Sequence, residues 1–144
     1  MVHVVYQISG MQQRTPLVAA GVLGTAGIIT GALGAHALAP YLAERGMSQV
    51  WETAVHFHFI HALALLGLAG WLRPPPTGAA ARRTIWVVRC WVAGTALFSG
   101  SLYLLALGGP RWLGPVTPLG GLCLLAGWIC LVGAALAPRS EYDI

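Results

Sequence analysis

Lysine does not occur in this sequence. All eight basic residues are arginine, and only four acids accompany them. Charged residues make up 8% of the 144-residue chain, against about 25% in a soluble domain. So few charges cannot cover a water-facing surface, so most of the surface faces lipid. The mean hydropathy of +0.73 agrees. Catalytic signatures are missing as well: no Walker loop, GxGxxG, HExxH or GxSxG occurs. No two carboxylates are placed for acid–base work. Arg, Glu and Asp are absent from the middle of every apolar run, which argues against a strongly coupled ion pump. Cys90, Cys123 and Cys130 form no CxxC or Cys/His zinc spacing. They read as small apolar packers, and no structural disulfide is expected. The net charge of +4 comes from arginines scattered over tails and loops. It forms no basic stripe with aromatic platforms, so nucleic acid is not an expected partner.

What the chain does have is apolar length. A chain of this size is expected to form one domain. Four runs approach the ~20 residues that cross a hydrocarbon core: about 16–38, 49–72, 84–107 and 117–136. In lipid every backbone group must be satisfied internally, so such runs are helices. The expected organisation is a polar tail over 1–15, a four-span membrane domain over 16–137 and a C-terminal tail over 138–144. Thr15–Pro16, Ser48 and Thr117–Pro118 suit helix starts. "RPPPTGAAARR" (73–83) reads as an extended connector, and "GGPRWLGP" (108–115) as a tight link. "APYLAERGM" (39–47) suits a short amphipathic turn at the interface. Arg14, an apolar run and "AHA" at 35–37 imitate a secretory signal, but the run is about 22 residues against the usual 7–15. It reads as a retained anchor helix.

Arginine placement predicts orientation. With four spans, Arg14, Arg73, Arg82, Arg83, Arg89 and Arg139 share one side, and Arg45 and Arg111 the other. The bias predicts both termini in the cytoplasm.

Membrane helices associate through close packing of small residues. Ala20, Gly24, Gly27, Gly31 and Gly34 make one such seam in the first run. Gly120, Cys123, Gly127, Cys130 and Ala134 make another in the fourth, and Ala93, Ala96 and Gly100 a shorter one in the third. The expected fold class is all-α, an integral membrane antiparallel four-helix bundle. Trp51, Trp71, Trp86, Trp112 and Tyr41 fall near span ends and suit an aromatic belt.

The polar cluster in "WETAVHFHFIHALALLG" (51–67) raises the functional question. Glu52 and His56 are i,i+4 neighbours on one face, and His58 and His61 are i,i+3 neighbours on roughly the opposite face. His61 lies ~18 Å into its helix, too deep for an imidazole to reach the headgroups, so it is expected to face the protein interior. Glu52 and His56 are expected at the outer rim, where an acid in the first turn suits the helix dipole. His36 and His61 are the candidate contacts for a metal, haem, quinone or proton path, beside Ser101 and Tyr103. The competing reading is an interhelical hydrogen bond from each histidine to Ser99, Ser101, Tyr103 or a backbone carbonyl. Two histidines do not fill a zinc site, and no particular cofactor is implied.

"GALGAHAL" (31–38), "VWETAVHFHFIHALALL" (50–66), "LFSGSLYLLAL" (97–107), and "TPLGG" with "AGW" (117–128) resemble a family of small bacterial inner-membrane proteins of unknown function. That family is typified by YgdD and YwdK and has a small transmembrane relative in eukaryotes. The resemblance covers about 16–136 and implies a four-helix integral membrane protein. It implies no reaction. Gly34, His36, Trp51, Thr53, His61, Ser99, Gly100, Ser101, Tyr103, Thr117, Pro118, Gly120 and Gly121 match its motifs. His56 and His58 stand where an aromatic or amide residue is expected, which moves the weight to His36 and His61. "MVHVVYQISGMQQR" falls outside the resemblance. The expected role is a non-enzymatic accessory or assembly subunit, with the lipid bilayer and a membrane protein or a second copy as partners.

Overall fold

A computed structural model describes residues 2–72 and 76–137, with side chains from Arg14 onward. The chain is all-α. Helix α1 runs Val2–Ala35, α2 Ala39–Glu44, α3 Ser48–Trp71, α4 Gly78–Ala106 and α5 Val116–Ala135, with a 3-10 turn at Arg111–Leu113. Four candidate spans meet the length and apolarity for crossing a membrane: Arg14–Ala35, Ser48–Trp71, Gly78–Ala106 and Arg111–Ala135. The apolar faces confirm the solvent. Val22, Ile28, Leu63, Leu122 and Ile129 are each more than half exposed, as side chains turned to lipid are.

The helix starts differ from those the capping residues suggest. Helix α1 passes through Pro16, which is buried inside it, so Thr15 does not begin the helix. Met47, with no side-chain cap bond, precedes α3, and Ser48 is already helical. Helix α5 begins at Val116, and the hydroxyl of Thr117 is engaged by Ser101 instead of capping. Helix α4 starts at Gly78, six residues before the expected span. In a bilayer the tertiary neighbours outweigh a local cap, because packing decides where the helical backbone continues. Arg73 to Pro75 of the expected connector, and the tail 138–144 with Arg139, lie outside the described residues.

Helix α1 packs on α3, α3 on α4, and α4 on α5, the last pair most extensively. Cross-helix pairs make each neighbour antiparallel: Gly27 meets Phe59 and Thr30 meets Trp51. Trp51 meets Tyr103 and Phe57 meets Phe98. Gly120 meets Phe98, Gly94 meets Leu124, and Gly127 meets Trp91.

The α4–α5 contact is backbone to backbone. A Cβ on Gly120 would lie 2.8 Å from the Phe98 Cα, and one on Gly94 would lie 2.9 Å from the Leu124 nitrogen. Only glycine permits that approach. The α5 seam therefore faces α4, as its spacing predicts. The α4 seam does not follow prediction: Ala93 and Ala96 are exposed, and Val87, Trp91, Gly94 and Thr95 form the packed face. Alanine is small enough for either environment, so its spacing alone could not assign a side.

Helix α2 is pinned by Leu42, which is buried with Trp51 and Ala106, and by the Tyr41 hydroxyl, which donates to the Leu107 carbonyl at 3.0 Å. At the opposite end of the bundle the Arg83 guanidinium donates to the Gly133 carbonyl, and the Arg89 guanidinium lies 5.6 Å from the Trp86 ring centre. Trp71, Trp86, Trp112 and Tyr41 are exposed near helix ends, as the belt predicts. Trp51 is not among them, for it is 4% exposed and its N–H donates to the Thr30 carbonyl at 3.0 Å.

Gly120→Ala is expected to destabilise by about 1–3 kcal/mol, because its methyl meets fixed backbone. Gly21→Ala meets nothing within 4 Å and is expected to be neutral or slightly stabilising. Thermal unfolding of the two variants in the same detergent compares them directly.

Candidate functional site

Two polar clusters occupy the interior. The first lies where α1, α3 and α4 meet. The Thr30 hydroxyl donates to the Tyr103 hydroxyl oxygen at 3.1 Å, and the Tyr103 hydroxyl lies 3.4 Å from His58 Nδ1. This order of donors has the tyrosine O–H donating to the imidazole, which puts the ring proton on Nε2. Thr30 also reaches the carbonyls of Ala26 and Gly27, so its one proton has alternatives. Trp51 lies against Tyr103 with ring centres 4.7 Å apart. Gly34 makes room for that indole, since any Cβ there would collide with it. The Leu23 carbonyl of α1 interacts with His58, but Nε2 has no hydrogen bond of normal geometry.

The second cluster lies deeper, between α3, α4 and α5. His61 is 2% exposed. Its Nδ1 donates to the Phe57 carbonyl at 2.8 Å, since a carbonyl can only accept. Its Nε2 then accepts from the Trp128 indole N–H at 3.3 Å. Both nitrogens of a neutral imidazole are thus engaged, and no lone pair is left for a metal unless the tryptophan bond breaks. Trp91 and Trp128 lie 4.8 Å apart, each about 6 Å from the imidazole.

The four candidates do not form one site. His36 is exposed just beyond the end of α1, and His61 is buried against α5. Ser101 is at 2.7 Å from the Thr117 hydroxyl and donates to the Phe98 carbonyl, which ties α4 to α5. Tyr103 belongs to the His58 cluster. The sequence placed His61 inward and Glu52 with His56 at the rim, and both placements hold. His36 does not join His61 because α1 ends at Ala35, which frees the imidazole from the bundle face. Thr30, Trp51 and Trp128 were not read as interior partners. A hydroxyl inside a span was the signal for Thr30, but tryptophan serves belt and core equally well.

Two hollows adjoin these clusters. One of about 330 Å³, at the α2 end, is bordered by Gly31, Gly34, Ser48, Trp51, Glu52 and His56. The other, about 360 Å³, is an apolar groove bordered by Ala64, Gly67, Trp71, Trp91, Trp128 and Leu131. Among the described residues no three His, Cys, Asp or Glu side chains group as metal ligands. Cys90, Cys123 and Cys130 are free and half-buried on the facing sides of α4 and α5.

The His61–Trp128 bond is expected to contribute a coupling of about 0.6–1.7 kcal/mol, the range of hydrogen bonds between membrane helices. A double-mutant cycle with His61→Phe and Trp128→Phe, read by thermal unfolding, measures it. Zero coupling would mean that the two side chains are only neighbours.

The family model described as "Protein of unknown function (DUF423)" matches residues 30–121. That window holds Thr30, Trp51, His58, His61 and Tyr103 and stops before Trp128. The UPF0382 membrane protein SH2409 of Staphylococcus haemolyticus is 42% identical over 103 residues, 72% of this chain and 80% of that protein. The UPF0382 membrane protein YwdK of Bacillus subtilis is 40% identical over 74% of this chain and 83% of its own length. The UPF0382 inner membrane protein YgdD of Escherichia coli is 38% identical over 90% of this chain and 95% of its own. No solved structure matches. With four membrane-length helices and these relatives, the chain belongs to the DUF423 family of integral membrane proteins of unknown function.

Proposed function

We propose that this chain is a non-enzymatic accessory or assembly subunit, acting through contact with another inner-membrane component or a second copy of itself. The observation that carries the reading is unequal burial among the spans. In its most apolar stretch α1 is only 11% buried, against 39% for α3 and α4. A helix held on one narrow seam keeps most of its surface available to a partner or to lipid. The interior polar groups support the reading, since Ser101, Tyr103 and His61 each bond a neighbouring residue. An inner-membrane location is supported by the name of the Escherichia coli relative.

Native mass measurement of gently solubilised protein is expected to show a species heavier than one chain plus detergent. A clean monomer without partner would overturn the assignment. Both termini are assigned to the cytoplasm from the arginine bias. Arg82 and Arg83 lie in the first two turns of α4 and Arg89 about three turns in, in the half of the helix away from Arg45 and Arg111. A C-terminal fluorescent-protein fusion is expected to fluoresce and a C-terminal alkaline phosphatase fusion to be inactive. The reverse pattern would invert the topology.

The competing role is a conduit or binding protein holding a metal, haem, quinone or proton path through His36 and His61. The separation of these residues and the engaged ring of His61 weigh against it. Absorbance and metal analysis of the native preparation discriminates: a bound group lost on His36→Ala and His61→Ala would favour this role.

A further inference from the structure

The hollow of about 330 Å³ at the α2 end carries a charge that neither interior cluster uses. Its size is at the low end of the ~300–1,000 Å³ of ligand sites, which limits an occupant to a small group. Gly31, Ala35 and Ala39 border it with nothing longer than a methyl group. Trp51 forms another side. Its N–H is engaged by the Thr30 carbonyl, so it offers only the apolar ring. The polar border is one face of α3. Ser48, Glu52 and His56 follow at four-residue steps, ~6 Å apart at 1.5 Å per residue, and all three border the hollow.

Among the described residues Glu52 forms no ion pair, and no arginine borders the hollow. Arg45 of the neighbouring α2 end is turned elsewhere, 5.4 Å from the Tyr41 ring centre and beside Gly108. The hollow is therefore acidic, and it favours a cation over an anion. Depth and the surrounding surface indicate where that cation comes from. Helix α3 has 24 residues, ~36 Å at 1.5 Å per residue against ~30 Å of hydrocarbon. Its first turns, with Ser48 and Glu52, lie at the headgroup boundary. One turn deeper, Ile60 follows His56 on α3 and Ile28 precedes Gly31 on α1, and both are more than half exposed. A carboxylate at the boundary over an apolar surface matches the order of charge and hydrocarbon in a phospholipid.

We propose that this hollow binds the headgroup of an aminophospholipid, phosphatidylethanolamine in chemical class. Glu52 holds the primary ammonium, and the Ser48 hydroxyl and the His56 imidazole N–H donate to the phosphate oxygens. A primary ammonium brings three N–H donors to a carboxylate, where a quaternary one brings none. The acyl chains lie along Ile28 and Ile60. The site is separate from the Thr30–Tyr103–His58 and His61–Trp128 clusters and independent of any assembly role.

Native mass spectrometry of the full chain in detergent, titrated with phosphatidylethanolamine, phosphatidylglycerol or free ethanolamine, tests this. Phosphatidylethanolamine is expected to bind at least about threefold more tightly than phosphatidylglycerol, the scale of a partly exposed ion pair. Glu52→Gln is expected to abolish that preference. Glu44→Gln, which removes an exposed acid outside the hollow, is expected to retain it. No preference in the unaltered chain, or one that survives Glu52→Gln, would overturn the inference. Displacement of the lipid by an equal concentration of ethanolamine would also overturn it, by assigning the site to a free amine. Bound lipid is counted per chain, so the result is read equally from a monomer or an oligomer. If Glu52→Gln does not fold, the comparison of the two lipids on the unaltered chain still decides.

Discussion

Between Gly120 of α5 and Phe98 of α4 there is no room for a methyl group, and the same holds between Gly94 and Leu124. Lipid tails are as apolar as leucine, so burying leucine between helices gains little in a bilayer. What holds helices together is contact too close for side chains and polar groups that lipid cannot satisfy. The α4–α5 pair rests on the first. Once it is set, Trp91 is trapped against Gly127, and Trp128 is carried to the point where it meets His61 across the bundle.

The second constraint governs the other half of the molecule. Thr30, Trp51, His58 and Tyr103 come from three helices and bond one another across them, as polar groups within spans must. Gly34 lets the Trp51 indole reach the α1 backbone. The small-residue seam of α1 and this cluster are therefore one device, a narrow line of contact reinforced by hydrogen bonds. It leaves the rest of α1 outward. The interior is consequently polar in patches, and each patch is assigned to an interface.

Much of this was legible in the residues. Apolar length and scarce charge set the number of spans, because bilayer thickness is a physical ruler. The depth of His61 set its inward orientation, because a short imidazole cannot snorkel. The seams of α1 and α5 were visible because glycine at helical spacing has few other uses in a span. The α4 seam was misread at Ala93 and Ala96, and Trp51 was assigned to the belt. Alanine and tryptophan are tolerated both in lipid and in protein contacts, so their positions carry less information than those of glycine or histidine.

The sequence by itself determined that this chain is a helical membrane protein with four spans, and that His61 lies inside it. Those properties follow from composition, length and depth, which are one-dimensional. Only the tertiary structure decided that His36 and His61 lie apart, that His61 is held by Trp128, and that His58 joins Tyr103 and Thr30. The partner of a side chain depends on helix rotation and on which helix lies beside it. Those are set by the summed contacts of whole helices, and no local spacing encodes them.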